Sequence, residues 1–157
     1  MTVSDDFIIV HTVTEKTIMQ GKKGKVSKSE TYLLKRYVGC DEYLVIPKGI
    51  TNIGYCAFRD CKSLKTVVIP EGVKTISGSA FMNCENLKAI YIPGSIQMIQ
   101  PFAFEGCNNL RNIYIEKTAW NFNGLYELKN CKNAVLYGSG CYFREFASKI
   151  NRQYVEG

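Results

Sequence analysis

Residues 64–86, LKTVVIPEGVKTISGSAFMNCEN, and residues 87–109, LKAIYIPGSIQMIQPFAFEGCNN, are two versions of one 23-residue pattern. Self-similarity at a fixed period of this length is the mark of a solenoid, in which each unit stacks on its neighbours. Moving outward, residues 41–63, DEYLVIPKGITNIGYCAFRDCKS, keep the same phase with Asp41 in the leucine position. Residues 110–133, LRNIYIEKTAWNFNGLYELKNCKN, form a degenerate fourth copy. The columns agree one after another: Pro47, Pro70, Pro93; Ile53, Ile76, Ile99, Phe122; Ala57, Ala80, Ala103; Phe58, Phe81, Phe104.

One unit can be read physically. Leu-x-x-Val/Ile-x-Ile is a short strand with a core-facing side, and the proline that follows ends it because it cannot donate to a sheet ladder. A second apolar pair, such as Val73 and Ile76, brings the chain back to the core. Ala-Phe-x-x-Cys then turns a ring, a small filler and a thiol inward. Equivalent strands should pair in parallel, with a sheet along one side of the solenoid. The predicted architecture is an α/β-type leucine-rich solenoid: an N-terminal β cap over 1–40, four repeats over 41–133 and a C-terminal cap over 134–157, in a single domain. In the N-terminal part, FIIVHTV and TYLLKRYV are expected to form a hairpin around the polar loop GKKGKVSKS.

The motif I-P-x-x-V/I-x-x-I-x-x-x-A-F-x-x-C-x-x-L resembles the BspA-like (Treponema pallidum-type) leucine-rich repeat, over about residues 41 to 133. VLYGSGCYFREFASKINRQYVEG resembles that family's closing element: a strand, a Gly-Ser turn, a helix and an extended tail. Phe143, Phe146, Ala147 and Ile150 fall at helical spacing in it. On this reading the C-terminal end is natural. The resemblance implies a non-enzymatic binding protein, often an adhesion module of host-associated microbes.

Composition narrows the function classes. The chain has 157 residues, a net charge of +6, 46% hydrophobic and 22% charged residues, which is globular and only moderately basic. It has no apolar run long enough for a membrane helix, and Met1–Val13 lacks the pattern of a secretory signal. The only histidine, His11, has no Cys or Ser partner in view, and GKKG at 21–24 has neither the spacing nor the context of a phosphate loop. No catalytic residue, cofactor or metal is expected. Of seven cysteines, none stand in Cys-x-x-Cys spacing; Cys61, Cys84, Cys107 and Cys131 follow the repeat and should stack as a reduced, buried column. Cys40, Cys56 and Cys141 lie off it, free to be exposed or to link chains. Reduced thiols and the absent signal favour a cytoplasmic location, with surface display the alternative.

Binding candidates come from the outward positions. Val45, Val68, Tyr91 and Tyr114 form one predicted outward column, and Glu42, Lys65, Lys88 and Arg111 its neighbour. Tyrosine beside Lys and Arg suits a protein contact, although tyrosines are also ordinary strand formers and lysine stems cover apolar surface. Trp120 and Tyr126 in the irregular fourth copy form a second candidate; coverage by the C-terminal helix is slightly favoured over exposure. Lys22, Lys23, Lys25 and Lys28 form the one charge run, read as a loop that either touches phosphate or is simply solvated. The expected partner is a protein. Nucleic acid or an anionic surface is the alternative, and a cell-surface adhesion fragment a further one.

Overall fold

The computed structural model of the chain describes residues 6–20, 23–116 and 122–156. Among the described residues, eleven strands fall into two sheets on either side of one core. The larger sheet holds β3 (Tyr43–Val45), β5 (Thr66–Val68), β7 (Ala89–Ile92), β9 (Asn112–Ile115), β10 (Val135–Gly138) and β11 (Tyr154–Glu156), side by side in that order. All its pairings are parallel. The smaller sheet runs β1 (Phe7–Gln20), β2 (Lys23–Tyr37), β4 (Asn52–Ile53), β6 (Thr75–Ile76) and β8 (Met98–Ile99). The apolar pair that returns the chain to the core thus makes a second sheet of two-residue strands, where the sequence suggested only a turn.

Stacking fixes the core. Leu44, Val67, Ile90, Ile113 and Leu136 are register partners along the large sheet, and all are buried. Ile53, Ile76 and Ile99 do the same on the small sheet. At the third corner the rings of Phe58, Phe81 and Phe104 stack, with centroids 4.7 and 5.5 Å apart. Tyr37 extends this stack, 5.3 Å from Phe58, and its hydroxyl donates to Asp41 Oδ2 at 2.8 Å. No side chain can fill these sites alone: each ring's faces are covered by the rungs above and below it.

The turns repeat too. Cys56, Ser79 and Phe102 share a left-handed backbone at φ 54, 55 and 63°, and Asp60, Asn83 and Gly106 share another at φ 61, 59 and 74°. Non-glycine residues tolerate this conformation only at a cost of about 1–2 kcal/mol. The corner is over-determined by its hydrogen bonds to the next rung: Phe58 N to Ala80 O at 2.7 Å, Asp60 N to Met82 O at 2.9 Å, Asn83 N to Glu105 O at 2.7 Å.

Both ends depart from the repeat. β1 and β2 pair from Phe7↔Tyr37 out to Gln20↔Lys23, and β2 joins β4 in parallel through Leu33↔Asn52 and Leu34↔Ile53. The hairpin therefore continues the small sheet, and the expected loop GKKGKVSKS is corrected: Lys23, Lys25 and Lys28 stand in β2. The alternation Val26-Ser27-Lys28-Ser29 suits an extended strand. In the fourth copy the chain forms a 3-10 helix, Phe122–Asn130, in place of another two-residue strand. It packs on β8 and buries Leu125 and Leu128. Helix α1, Cys141–Lys149, then lays Phe143, Phe146 and Ala147 into the core, and the tail pairs with β10 as β11.

Because Phe81 is fully buried between two other rings, Phe81→Ala removes contacts to both neighbouring rungs. The expected loss is about 3–5 kcal/mol, read as a drop in the urea midpoint. Gly54→Ala is a second check: a Cβ there would lie 2.8 Å from the Leu34 carbonyl that the Gly54 amide binds, so the β2–β4 junction should loosen.

Candidate functional site

The outward column of the large sheet runs Val45, Val68, Tyr91, Tyr114, Tyr137 in strict register. Parallel pairing places equivalent side chains directly above one another, so the three phenol rings stack. Tyr91 and Tyr114 have centroids 4.4 Å apart at 9°, Tyr114 and Tyr137 4.7 Å at 24°. They floor an open groove of about 630 Å³ whose walls include Pro70, Pro93 and, from the tail, Val155. Tyr137 was missed in the sequence, yet it lies one more 23-residue step beyond Tyr114. Asn133 and Ser139, where a repeat would place leucine and proline, made that segment read as cap only.

Two carboxylates mark the groove's end nearest the strand C-termini. The Gly94 amide donates to Glu71 Oε1 at 2.9 Å and to Glu116 Oε2 at 3.3 Å. Glu116 occupies the proline column, after Pro70 and Pro93, and Glu71 follows Pro70. Partial burial pushes the Glu71 carboxyl up, but its contacts with Glu116, Ser95 and the Gly94 and Gly72 amides outweigh this and hold it below the usual range.

The basic column lies at the opposite margin, where the strands begin. Lys65, Lys88 and Arg111 are exposed there. Lys65 Nζ pairs with Glu42 Oε1 at 2.7 Å, and Arg111 Nη1 donates to the Asn108 carbonyl at 2.8 Å. None of the three lines the groove. Tyr126 sits on the 3-10 helix, 44% exposed, with Lys129 Nζ 4.3 Å from its ring centre. The expectation that the C-terminal helix covers it is corrected: that helix lays Phe143 and Phe146 into the core. Trp120 and Lys22 lie outside the described residues. Lys28 is exposed on β2, far in register from the tyrosines.

The cysteine column has a role beyond filling space. Cys84 Sγ donates to the Phe58 carbonyl and Cys107 Sγ to the Phe81 carbonyl, each at 3.1 Å and each reaching back one rung. Its contact with Cys107 and burial push the Cys84 thiol well up; burial pushes Cys131 up to about 12. Cys56 is half-buried in the left-handed corner, and Cys40 is exposed. His11 stacks on Tyr32 at 4.3 Å with Glu30 3.8 Å away, an exposed cross-strand cluster on the hairpin. Among the described residues no three His, Cys, Asp or Glu side chains come together as a metal-binding group, and no helix is long and apolar enough to cross a membrane.

Geometry of this kind defines a class: a short leucine-rich β-solenoid with a parallel sheet presenting an aromatic ladder. Its family model, the BspA type leucine-rich repeat region, matches residues 37–137, and the chain belongs to that family. Among solved structures, the Treponema pallidum leucine-rich repeat protein is 25% identical with a TM-score of 0.53, over 71% of this chain and 58% of that one. The pneumococcal vaccine antigen PcpA is 13% identical with a TM-score of 0.51, over 80% and 44%. A leucine-rich cell surface protein of Faecalibacterium prausnitzii is 25% identical with a TM-score of 0.48, over 94% and 42%. The chain spans about half the length of these solved relatives. No curated protein matches it significantly.

Three outcomes follow. Tyr114→Ala should cost only about 1 kcal/mol, since a surface ladder contributes cross-strand contacts but little burial. A loss as large as that of Phe81→Ala would make the ladder part of the scaffold. At pH 8, iodoacetamide should alkylate Cys40 quickly and leave Cys84 and Cys131 untouched until the chain unfolds. The native fold holds the Cys131 proton more tightly than an unfolded thiol, whose ordinary value is 9.0, so stability should fall as pH rises from there toward about 12.

Proposed function

We propose that this chain is a non-enzymatic protein-interaction module that engages a macromolecular partner through the groove of its large sheet. The observation that carries this reading is the Tyr91–Tyr114–Tyr137 stack as the floor of an open, mainly apolar groove. Three adjacent rings on a parallel sheet offer large contact area at low entropic cost, because the neighbouring rings already restrict each rotamer. The family supports the same reading, since its repeat is a scaffold for recognition surfaces. Among the described residues, the polar side chains that line the groove are phenols, Ser139 and two carboxylates, with no His or Cys. Thiols that donate hydrogen bonds to backbone carbonyls work only when reduced, which favours a reducing compartment.

Affinity capture from the source cell tests the proposal, with wild type, Tyr91→Ala/Tyr114→Ala, and Tyr55→Ala as an exposed tyrosine outside the groove. The partner should be retained by Tyr55→Ala and weakened more than about tenfold by the double variant. Equal capture by all three would exclude the sheet face as the contact surface.

A further inference from the structure

Among the described residues, the groove is charged in one sense only. In a chain of net +6, the charged side chains that line it are Glu71 and Glu116, both acidic. They converge on a shared donor, the Gly94 amide. Glu71 also contacts Ser95 and the Gly72 amide, but among the described residues neither carboxylate forms an ion pair with Lys, Arg or His. The basic residues of this sheet are held at the opposite margin, with Lys65 committed to Glu42 and Arg111 to backbone carbonyls. Stacking covers both faces of Tyr114, so the ladder turns its ring edges and the outer face of Tyr91, on the Val68 side, toward the same space as the acidic end.

Resting on the reading that the groove is the contact surface, we infer that its occupant is an extended segment of a partner protein carrying an arginine, whose guanidinium packs on the open face of Tyr91 at the end of the ladder and donates to Glu71 and Glu116. The chemistry fits at each point. A guanidinium stacks flat on an aromatic face and keeps its in-plane N–H donors free for carboxylates. A carboxylate pair presents several acceptor positions to that fork, which a single ammonium donor would use less completely. The length fits as well. Four rungs at ~4.8 Å make a floor of about 14 Å, the reach of some four extended residues at ~3.3 Å each. An acidic segment would bring like charges together at the groove's end, and a purely apolar one would bury two carboxylates without a counter-charge.

Fluorescence-anisotropy titration with labelled, end-capped hexapeptides tests this directly. The panel carries arginine, citrulline, lysine or glutamate at the centre of one Tyr/Leu-flanked sequence; citrulline keeps the shape of arginine and removes its charge. Expected is binding of the arginine peptide at least about tenfold tighter than the citrulline peptide, the scale of one close charge pair at a contact surface. Glu71→Gln/Glu116→Gln should erase that difference without lowering the melting temperature, because glutamine still accepts from the Gly94 amide. Equal binding of arginine and citrulline peptides, still lost in Tyr91→Ala/Tyr114→Ala, would overturn the charge selection and leave the groove reading standing. A preference for the glutamate peptide that vanishes in Lys88→Gln/Arg111→Gln would overturn it in favour of the basic margin. Failure of every hexapeptide to bind would overturn it too, and the capture experiment would then decide the groove reading separately.

Discussion

Every rung of this solenoid leaves backbone donors and acceptors that only the adjacent rung can satisfy. The pattern is plain at the three corners. The amides of Lys65, Lys88 and Arg111 each donate to the carbonyl one rung earlier, as Lys74 does to Thr51 and Gln97 to Lys74. At the third corner the amide of Phe58 donates to Ala80 and that of Phe81 to Ala103, in the opposite direction. Such bonding tolerates no change in repeat length without a local rebuild, because a one-residue slip would turn core side chains outward. The constraint explains why the first three units keep 23 residues, and why the fourth, at 24, is rebuilt around the 3-10 helix. It also explains the side-chain ladders that back it up: Asn86 Nδ2 to the Lys62 carbonyl and Asn109 Nδ2 to the Glu85 carbonyl, each at 2.8 Å.

The same constraint generates the candidate site. Once strands are locked in parallel register, three tyrosines spaced by one period must stand face to face. The sheet cannot hide them, since its other side is filled by the isoleucine and valine columns. Function in such a fold is a matter of what the outward columns carry, and here they carry rings in the middle, bases where the strands begin and acids where they end. The cysteines, which look like the reactive residues of the sequence, are spent on structure: Cys84 and Cys107 close carbonyl contacts between rungs.

Periodicity made the repeat, its register and its core columns readable from residues alone, because one column repeated three times is a strong signal. The same signal placed Tyr91 and Tyr114 side by side and would have added Tyr137, had the count been carried one rung into the cap. Features without a sequence period were harder to read. The second sheet was missed because two-residue strands leave almost no alternation to detect. Lys23, Lys25 and Lys28 looked like a loop because charge and glycine also mark turns; only pairing with β1 shows the run to be strand. Glu116 escaped notice because, in sequence, it is simply a lost proline. Its meaning appears only when Gly94 brings it beside Glu71, 45 positions away in the chain.

The central claim is that recognition belongs to the tyrosine ladder while the rest of the repeat is scaffold. Hydroxyl-radical footprinting of the chain, alone and with its captured partner, tests it most directly, since tyrosine oxidation reports side-chain exposure residue by residue. Tyr91, Tyr114 and Tyr137 should become protected together, with Tyr55, Met98 and Phe102 on other surfaces still oxidised at their free-chain rates. Protection of Tyr55, Met98 or Phe102 with the three ladder rings unchanged would contradict it.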